Sequence, residues 1–162
     1  MIIEEHHSNT KAHVQLAKVR FILDESDAAM GVEAENLWAR RLGEDMFKID
    51  NIPFYVYGIS NEDIVSAVRN GLVFDFQNVI RRGGHSTYRV LLTQLAGFEG
   101  DAWKTRWPQL EALGCRCEVA RKRWIAIDVP KVSNADDVYA LLEKGRNDGV
   151  WSIDEGHCGH PL

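Results

Sequence analysis

Along the chain, alternating apolar positions predict short strands first and helices only later. His13 to Leu23 alternates loosely through Val14, Leu16, Val19, Phe21 and Leu23, which predicts one strand with a slip of phase near Ala17. Asp24 to Gly31 is small and polar, a loop. Val32 to Leu42 has some helical character. The turn residues Gly43-Glu44-Asp45 before Met46-Phe47-Lys48-Ile49 favour a hairpin instead, with Glu35 to Arg40 as its first arm. Pro53 removes a backbone donor and biases Ile52 towards extended geometry, so Asp50 to Pro53 is a turn and Phe54 to Gly58 a short aromatic edge or bend. Ile64 to Val68 and Leu72 to Arg81 read as strands joined at Asn70-Gly71, a two-residue hairpin signal. On the second of these, Val73, Asp75, Gln77 and Val79 share one face, and Leu72, Phe74, Phe76, Asn78 and Ile80 the other.

From about Ser86 the order changes to strand, helix, strand, strand, helix, strand. Tyr88, Val90 and Leu92 alternate. Phe98 to Asp101 opens a helix carrying Trp103, Trp107, Leu110 and Leu113 on one face, kinked or restarted at Pro108 and ended by Gly114. Cys115, Cys117 and Val119 share a strand face opposite Arg116 and Glu118. Trp124 to Val129 is the next strand. Ser133 to Asp136 has the form of a capping box before the stripe Val138, Leu141 and Leu142, with Gly145 as the expected stop. Gly149 to Ile153 is the last strand. These elements define an α+β fold: a small N-terminal β-barrel-like domain, residues 13–84, then a ferredoxin-like βαββαβ domain, residues 85–155. Residues 1–12 and 156–162 are the expected tails.

Charge and cysteine content narrow the function classes. The formal net charge is −5, with 9 Lys+Arg against 13 Asp+Glu before Gly84 and 10 against 11 after it. Neither half is basic, which disfavours nucleic acid. Arg116, Arg121, Lys122 and Arg123 gather near Trp124, but that strand lacks the Gly-aromatic signature of RNA-binding sheets. No segment has the ~20 consecutive apolar residues of a membrane-spanning helix. Met1 to Lys11 holds no apolar signal region, and the three cysteines, Cys115, Cys117 and Cys158, lack a disulfide spacing; a cytoplasmic protein is the expectation.

Chemistry is sparse. His157, Cys158 and His160 are metal-ligand types, yet no second pair completes a four-ligand site, so no metal is expected. Cys115 and Cys117, two apart on one strand face, are poorly placed for a mutual disulfide and read as core residues. The segment Arg81-Arg82-Gly83-Gly84-His85-Ser86-Thr87 is the best functional candidate. Its side chains and backbone amides have the chemistry to wrap an anion, although it precedes no helix and is neither a P-loop nor a dinucleotide fingerprint. No cofactor signature is present.

Three runs resemble the bacterial DUF4265 family, a domain of unknown function: Glu35 to Ala39, Phe47 to Ser60 with its Asp50-Asn51-Ile52-Pro53-Phe54 stretch, and Asp63 to Val65. Arg82 to Val90 and the ending near Trp151 fit the same family. The resemblance implies a compact bacterial protein and transfers no catalytic residue.

The two domains are expected to pack through Trp38, Phe54, Tyr55 and Tyr57. The groove between them, lined by Asp50, Asn51, Tyr55, Tyr57, Arg82 and His85, with Arg81 beside it, is the expected binding site. A protein-binding module leads the readings, most specifically an immunity protein that neutralises a basic bacterial toxin. A small-ligand or anion sensor is the alternative, and a hydrolase or transferase built on His85 the third.

Overall fold

The computed structural model describes residues 14–24, 31–93, 101–121 and 123–161. The expected N-terminal tail, the centre of the 24–31 loop, Phe98 to Gly100 and Lys122 lie outside them. The fold is mixed α+β, with mostly antiparallel sheets and few helices. Its first sheet contains β1 (Leu16–Ile22), β2 (Ala34–Arg41), β3 (Met46–Ile49), β4 (Ile64–Asn70) and β5 (Val73–Arg81). Neighbours in sequence pair antiparallel. β5 then meets β1 in parallel at Val19 and Arg20, closing the sheet on itself.

The inward positions follow the period of two. Ala17, Val19, Phe21 and Leu23 hold one phase, so the expected slip at Ala17 does not occur; Val14 and Leu16 simply face outward. On β5 the phase does break. Register shifts against β4 leave Gln77 and Ile80 as extra residues, which turns Val79 inward together with Phe74 and Phe76. The hairpin loop is Gly71-Leu72, one residue later than expected, because Asn70 still pairs with Val73. Gly71 has a positive φ of 63°, the requirement that glycine meets at this turn.

The second sheet has the order β7 (Arg116–Ala120), β8 (Trp124–Val129), β6 (Ser86–Leu92), β9 (Trp151–His157), all antiparallel. The helices α1 (Asp101–Lys104), α2 (Trp107–Ala112) and α3 (Ala135–Asn147) complete this half. Tyr88, Val90, Leu92, Ile125, Ile127, Val129 and Trp151 form one core with Leu110, Val138 and Leu142 from the helices. Pro108 sits in the first turn of α2, where a missing N–H costs nothing, so the predicted helix is broken in two.

Two helix boundaries differ from expectation. Asn134, not Ser133, caps α3, its Oδ1 accepting from the N–H groups of Asp136 and Asp137. Gly145 does not end α3, which runs to Asn147 and is followed by Gly149 at positive φ. Gly145 is instead the seat of Trp151: a Cβ there would collide with the indole ring, whose Nε1 donates to Leu142 O at 2.9 Å. The C-terminal segment is also more structured than a tail. β9 continues through His157, and Ser86 Oγ accepts from Gly159 N at 2.9 Å and lies 2.6 Å from His160 Nδ1. His160 Nε2 faces Pro130 O at 3.0 Å. A carbonyl only accepts, so Nε2 carries the proton and, in the neutral ring, Nδ1 accepts from Ser86.

The opposite face of this sheet is polar and meets the first sheet and the irregular segment 50–63. Buried polar residues gather around this junction: Ser60, Asn61, Asp63, Thr87, Arg89 and Asp128. Arg89, 2% exposed, donates to Tyr55 O, Val56 O and Asp154 Oδ2. Gly156 supplies the room, since a Cβ there would lie 2.7 Å from Arg89 Nη2. The expected aromatic seam is therefore only partial. Tyr57 lies under the Arg89 guanidinium and donates to Asp154, and Tyr55 approaches Trp124 at 6.1 Å. Trp38 is 47% exposed beneath Lys18, and Phe54 is held by its backbone N–H bonded to Glu35.

Replacing Arg89 by Met strands two carbonyls and should cost about 3–5 kcal/mol in urea unfolding; a loss below about 1 kcal/mol would mean that the junction does not depend on it. For Gly145→Ala, a helix gain near 1 kcal/mol opposes an overpacking cost of about 1–3 kcal/mol, giving a net loss of up to about 2 kcal/mol. A stabilised variant would show that the Trp151 ring moves freely.

Candidate functional site

Segment 50–63 has almost no regular structure and is held by two carboxylates. Glu35 accepts from the successive backbone N–H groups of Phe54, Tyr55 and Val56 at 2.7–2.9 Å. Asp63, fully buried, accepts from Ser60 N at 3.0 Å, Gly83 N at 2.8 Å and Arg82 Nη1 at 2.9 Å. A second buried carboxylate lies across the junction on β8. Asp128 accepts from His85 Nδ1 at 2.8 Å, Arg116 Nη2 at 3.1 Å and Asn61 Nδ2 at 3.2 Å. A buried carboxylate with three donors fixes the position of each group that donates to it.

Arg82, His85 and Arg116 are thereby set around a cleft of about 570 Å³, completed by Lys48, Glu62, Arg81, Gly83 and Lys131. Five Lys and Arg side chains thus face one carboxylate on the lining. Lys48 pairs with Glu62, Arg82 with Asp63 and Arg116 with Asp128. Arg81 and Lys131 have no carboxylate partner among the described residues. Even with Asp63 and Asp128 included, the site is a local positive concentration on a chain of net charge −5. Gly83 lets the linker pass the loop, since its Cβ would lie 2.6 Å from the Glu62 backbone.

The predicted site residues separate into three places. Arg81, Arg82 and His85 line the large cleft. Asp50 and Asn51 line a smaller one of about 180 Å³ with Asn61, Cys117 and Glu118, and Arg116 borders both. Tyr55 and Tyr57 belong to the Arg89 contacts. Within the 81–87 segment some of the polar groups are already engaged: Gly83 N–H is taken by Asp63, Thr87 Oγ1 by Ser60, and Ser86 Oγ by His160 and Gly159. Sequence reasoning missed Lys48, Glu62 and Lys131, and assigned Arg116 to a hairpin patch. Arg123 leaves that patch too, donating to Leu92 O.

The cysteines are free. Burial, reinforced by the nearby Asp128 charge, pushes the Cys115 thiol up to about 12, and burial also raises Cys117. Both are protonated thiols at neutral pH and poor nucleophiles. His157 is shifted the other way, below its ordinary 6.5, by burial and then by the Arg82 charge. Among the described residues no cluster of His, Cys, Asp and Glu is suited to a metal ion, and no helix is long and apolar enough to cross a membrane.

The chain belongs to the family described as Domain of unknown function (DUF4265), which matches residues 35–153. The match includes every residue that lines the two clefts. A hypothetical protein from Neisseria gonorrhoeae, reported as a novel crystal structure, shares the fold with a TM-score of 0.72. The alignment covers 91% of this chain and 97% of that one at 17% identity, a likeness of fold alone. No curated protein matches the chain.

The lowered His157 value sets a pH dependence. The unfolded chain binds the proton more readily, so the contribution of neutral His157 is complete above 6.5 and is lost as pH falls from there through the folded value. Urea titrations between pH 7 and pH 5 should show a shallower acid loss in His157→Gln than in the wild type; equal slopes would refute the assignment.

Proposed function

We propose that this protein binds a small ligand bearing a phosphate or similar oxyanion in the cleft between its two sheets. The observation that carries this reading is the set of five cations on the lining, two of them without a carboxylate partner among the described residues, in a chain that is acidic as a whole. Cations with counter-ions already supplied are structural. Cations held together without them repel one another, and an anion relieves that repulsion. Guanidinium groups also match oxyanions geometrically. A volume of about 570 Å³ accommodates a metabolite rather than a lone ion.

The architecture that frames the cleft fits a finer reading. In the second sheet β8 lies between β6 and β7, and β6 between β8 and β9, the interleaving of a split βαβ unit. We read this half as the ferredoxin-like domain, 85–155, and the closed sheet as the barrel-like one, 13–84. A toxin-neutralising immunity protein remains the partner-binding alternative. Net charge alone supports it, and the face that would meet a basic partner is not this cleft.

Arg82 is a poor probe, because it also bonds Asp63 and Gly58 O. Arg81→Ala with Lys131→Ala is the better variant. Calorimetry with inorganic phosphate and a panel of phosphate-bearing metabolites should detect binding that weakens with salt. The double variant should lose about a hundredfold or more, since each of its two charge-assisted contacts contributes about 1.5–3 kcal/mol. Absence of heat with every phosphate compound would reject the reading.

A further inference from the structure

Within the cleft, one side chain is arranged differently from its neighbours. His85 Nδ1 lies 2.8 Å from Asp128 Oδ1, and its side chain is 12% exposed. Asp128 is fully buried and already accepts from Arg116 and Asn61. A carboxylate so placed holds the proton on Nδ1 and leaves the Nε2 lone pair as the open end of the ring. Nε2 has no hydrogen-bond partner among the described residues, and it is not one of the sealed, unpartnered polar atoms of the interior. His85 lines the cleft itself.

The other lining groups are cations, a glycine and Glu62, whose carboxylate is paired with Lys48. No Ser, Thr, Cys or Tyr side chain lines it. In the neutral ring, His85 Nε2 is therefore the lone pair that an oxyanion-bearing ligand meets there. The surrounding cations offset the charge that otherwise repels a nucleophile from a phosphoryl group. The same carboxylate that orients the ring also stabilises the imidazolium formed when Nε2 becomes substituted.

We propose that His85 is a phosphoryl acceptor, forming a phosphohistidine at Nε2 from a small donor held in the basic cleft. This rests on the anion-binding reading of the same cleft. With phosphoramidate as donor, the Nε2 lone pair forms the new N–P bond. The bond from phosphorus to the ammonium nitrogen breaks, and ammonia departs with that electron pair. The Nδ1 proton stays on the ring, shared with Asp128, so charge and atoms balance.

The test is incubation of the full chain with phosphoramidate, read by intact mass, ³¹P spectroscopy and peptide mapping at neutral to alkaline pH, beside phosphate calorimetry on the same protein. One phosphoryl group, stable in alkali, lost in acid and mapped to His85, is the expected result. In His85→Asn the amide nitrogen can stand where Nδ1 stood and still donate to Asp128, while the reacting atom is gone. Labelling there should fall by about tenfold or more. Mapping in the wild type decides the matter even if that variant fails to fold. Phosphate binding without labelling, or labelling on Lys48 or Lys131, overturns the proposal and leaves the anion cleft standing. Absence of both binding and labelling removes the two together.

Discussion

The buried guanidinium of Arg89 is the interaction on which the two halves of this molecule depend. Helices cover only one face of the second sheet, and the other face carries Thr87, Arg89 and Asp128 into a buried junction. An ion there costs several kcal/mol unless it is matched by hydrogen bonds. Arg89 finds them in the carbonyls of Tyr55 and Val56, which belong to the other half of the chain. Those carbonyls are available because segment 50–63 is irregular and has no ladder of its own to satisfy. Glu35 fixes the same segment from behind by accepting the adjacent N–H groups. Donor and acceptor sides of one stretch of backbone are thus consumed by two opposite charges, one from each half.

The cleft follows from that arrangement. Two sheets joined by a polar loop cannot close as tightly as two apolar faces, and the gap is bordered by whatever the buried carboxylates attract. Asp63 and Asp128 each bind a short-range set of donors and each leaves an arginine at the rim. The burial that makes these aspartates costly is what makes the rim positive. An acidic protein acquires a basic cavity without any long basic stretch of sequence, because Lys48, Arg116, Lys131 and the adjacent pair Arg81 and Arg82 come from four different places in the chain.

That origin also decides what was legible beforehand. The strand order, the hairpin arms at Glu35 to Ile49 and the split helix at Pro108 follow from local periodicity and proline chemistry, and the sequence carries both. The bulges at Gln77 and Ile80 do not, since a phase change of one residue leaves no mark until β4 is set beside β5. Gly145 looked like a helix stop because glycine is common there; its actual cause, the Trp151 ring, is a tertiary contact. Arg81, Arg82 and His85 could be nominated as a cluster because they adjoin. Lys48 and Lys131 could not, because nothing nearby in the chain distinguishes them from solvated lysines. The aromatic seam is partial for a similar reason: tyrosines beside a proline turn suggested packing, and Tyr55 does approach Trp124, whereas Tyr57 serves as a surface for the Arg89 cation.

Asp128 shows how structure and chemistry share one group. Of its three donors, Asn61 is buried and His85 nearly so, whereas the Arg116 side chain is 64% exposed. The first two are fixed by packing as well as by their hydrogen bonds. Arg116 is held at the rim mainly by its ion pair with this buried carboxylate, and there its guanidinium lines the cleft. Removing Asp128 would therefore leave three donors without their acceptor at once, one in the interior, one at the back of the cleft and one at its rim. A single carboxylate thus ties the packing of the junction to the shape of the cleft wall.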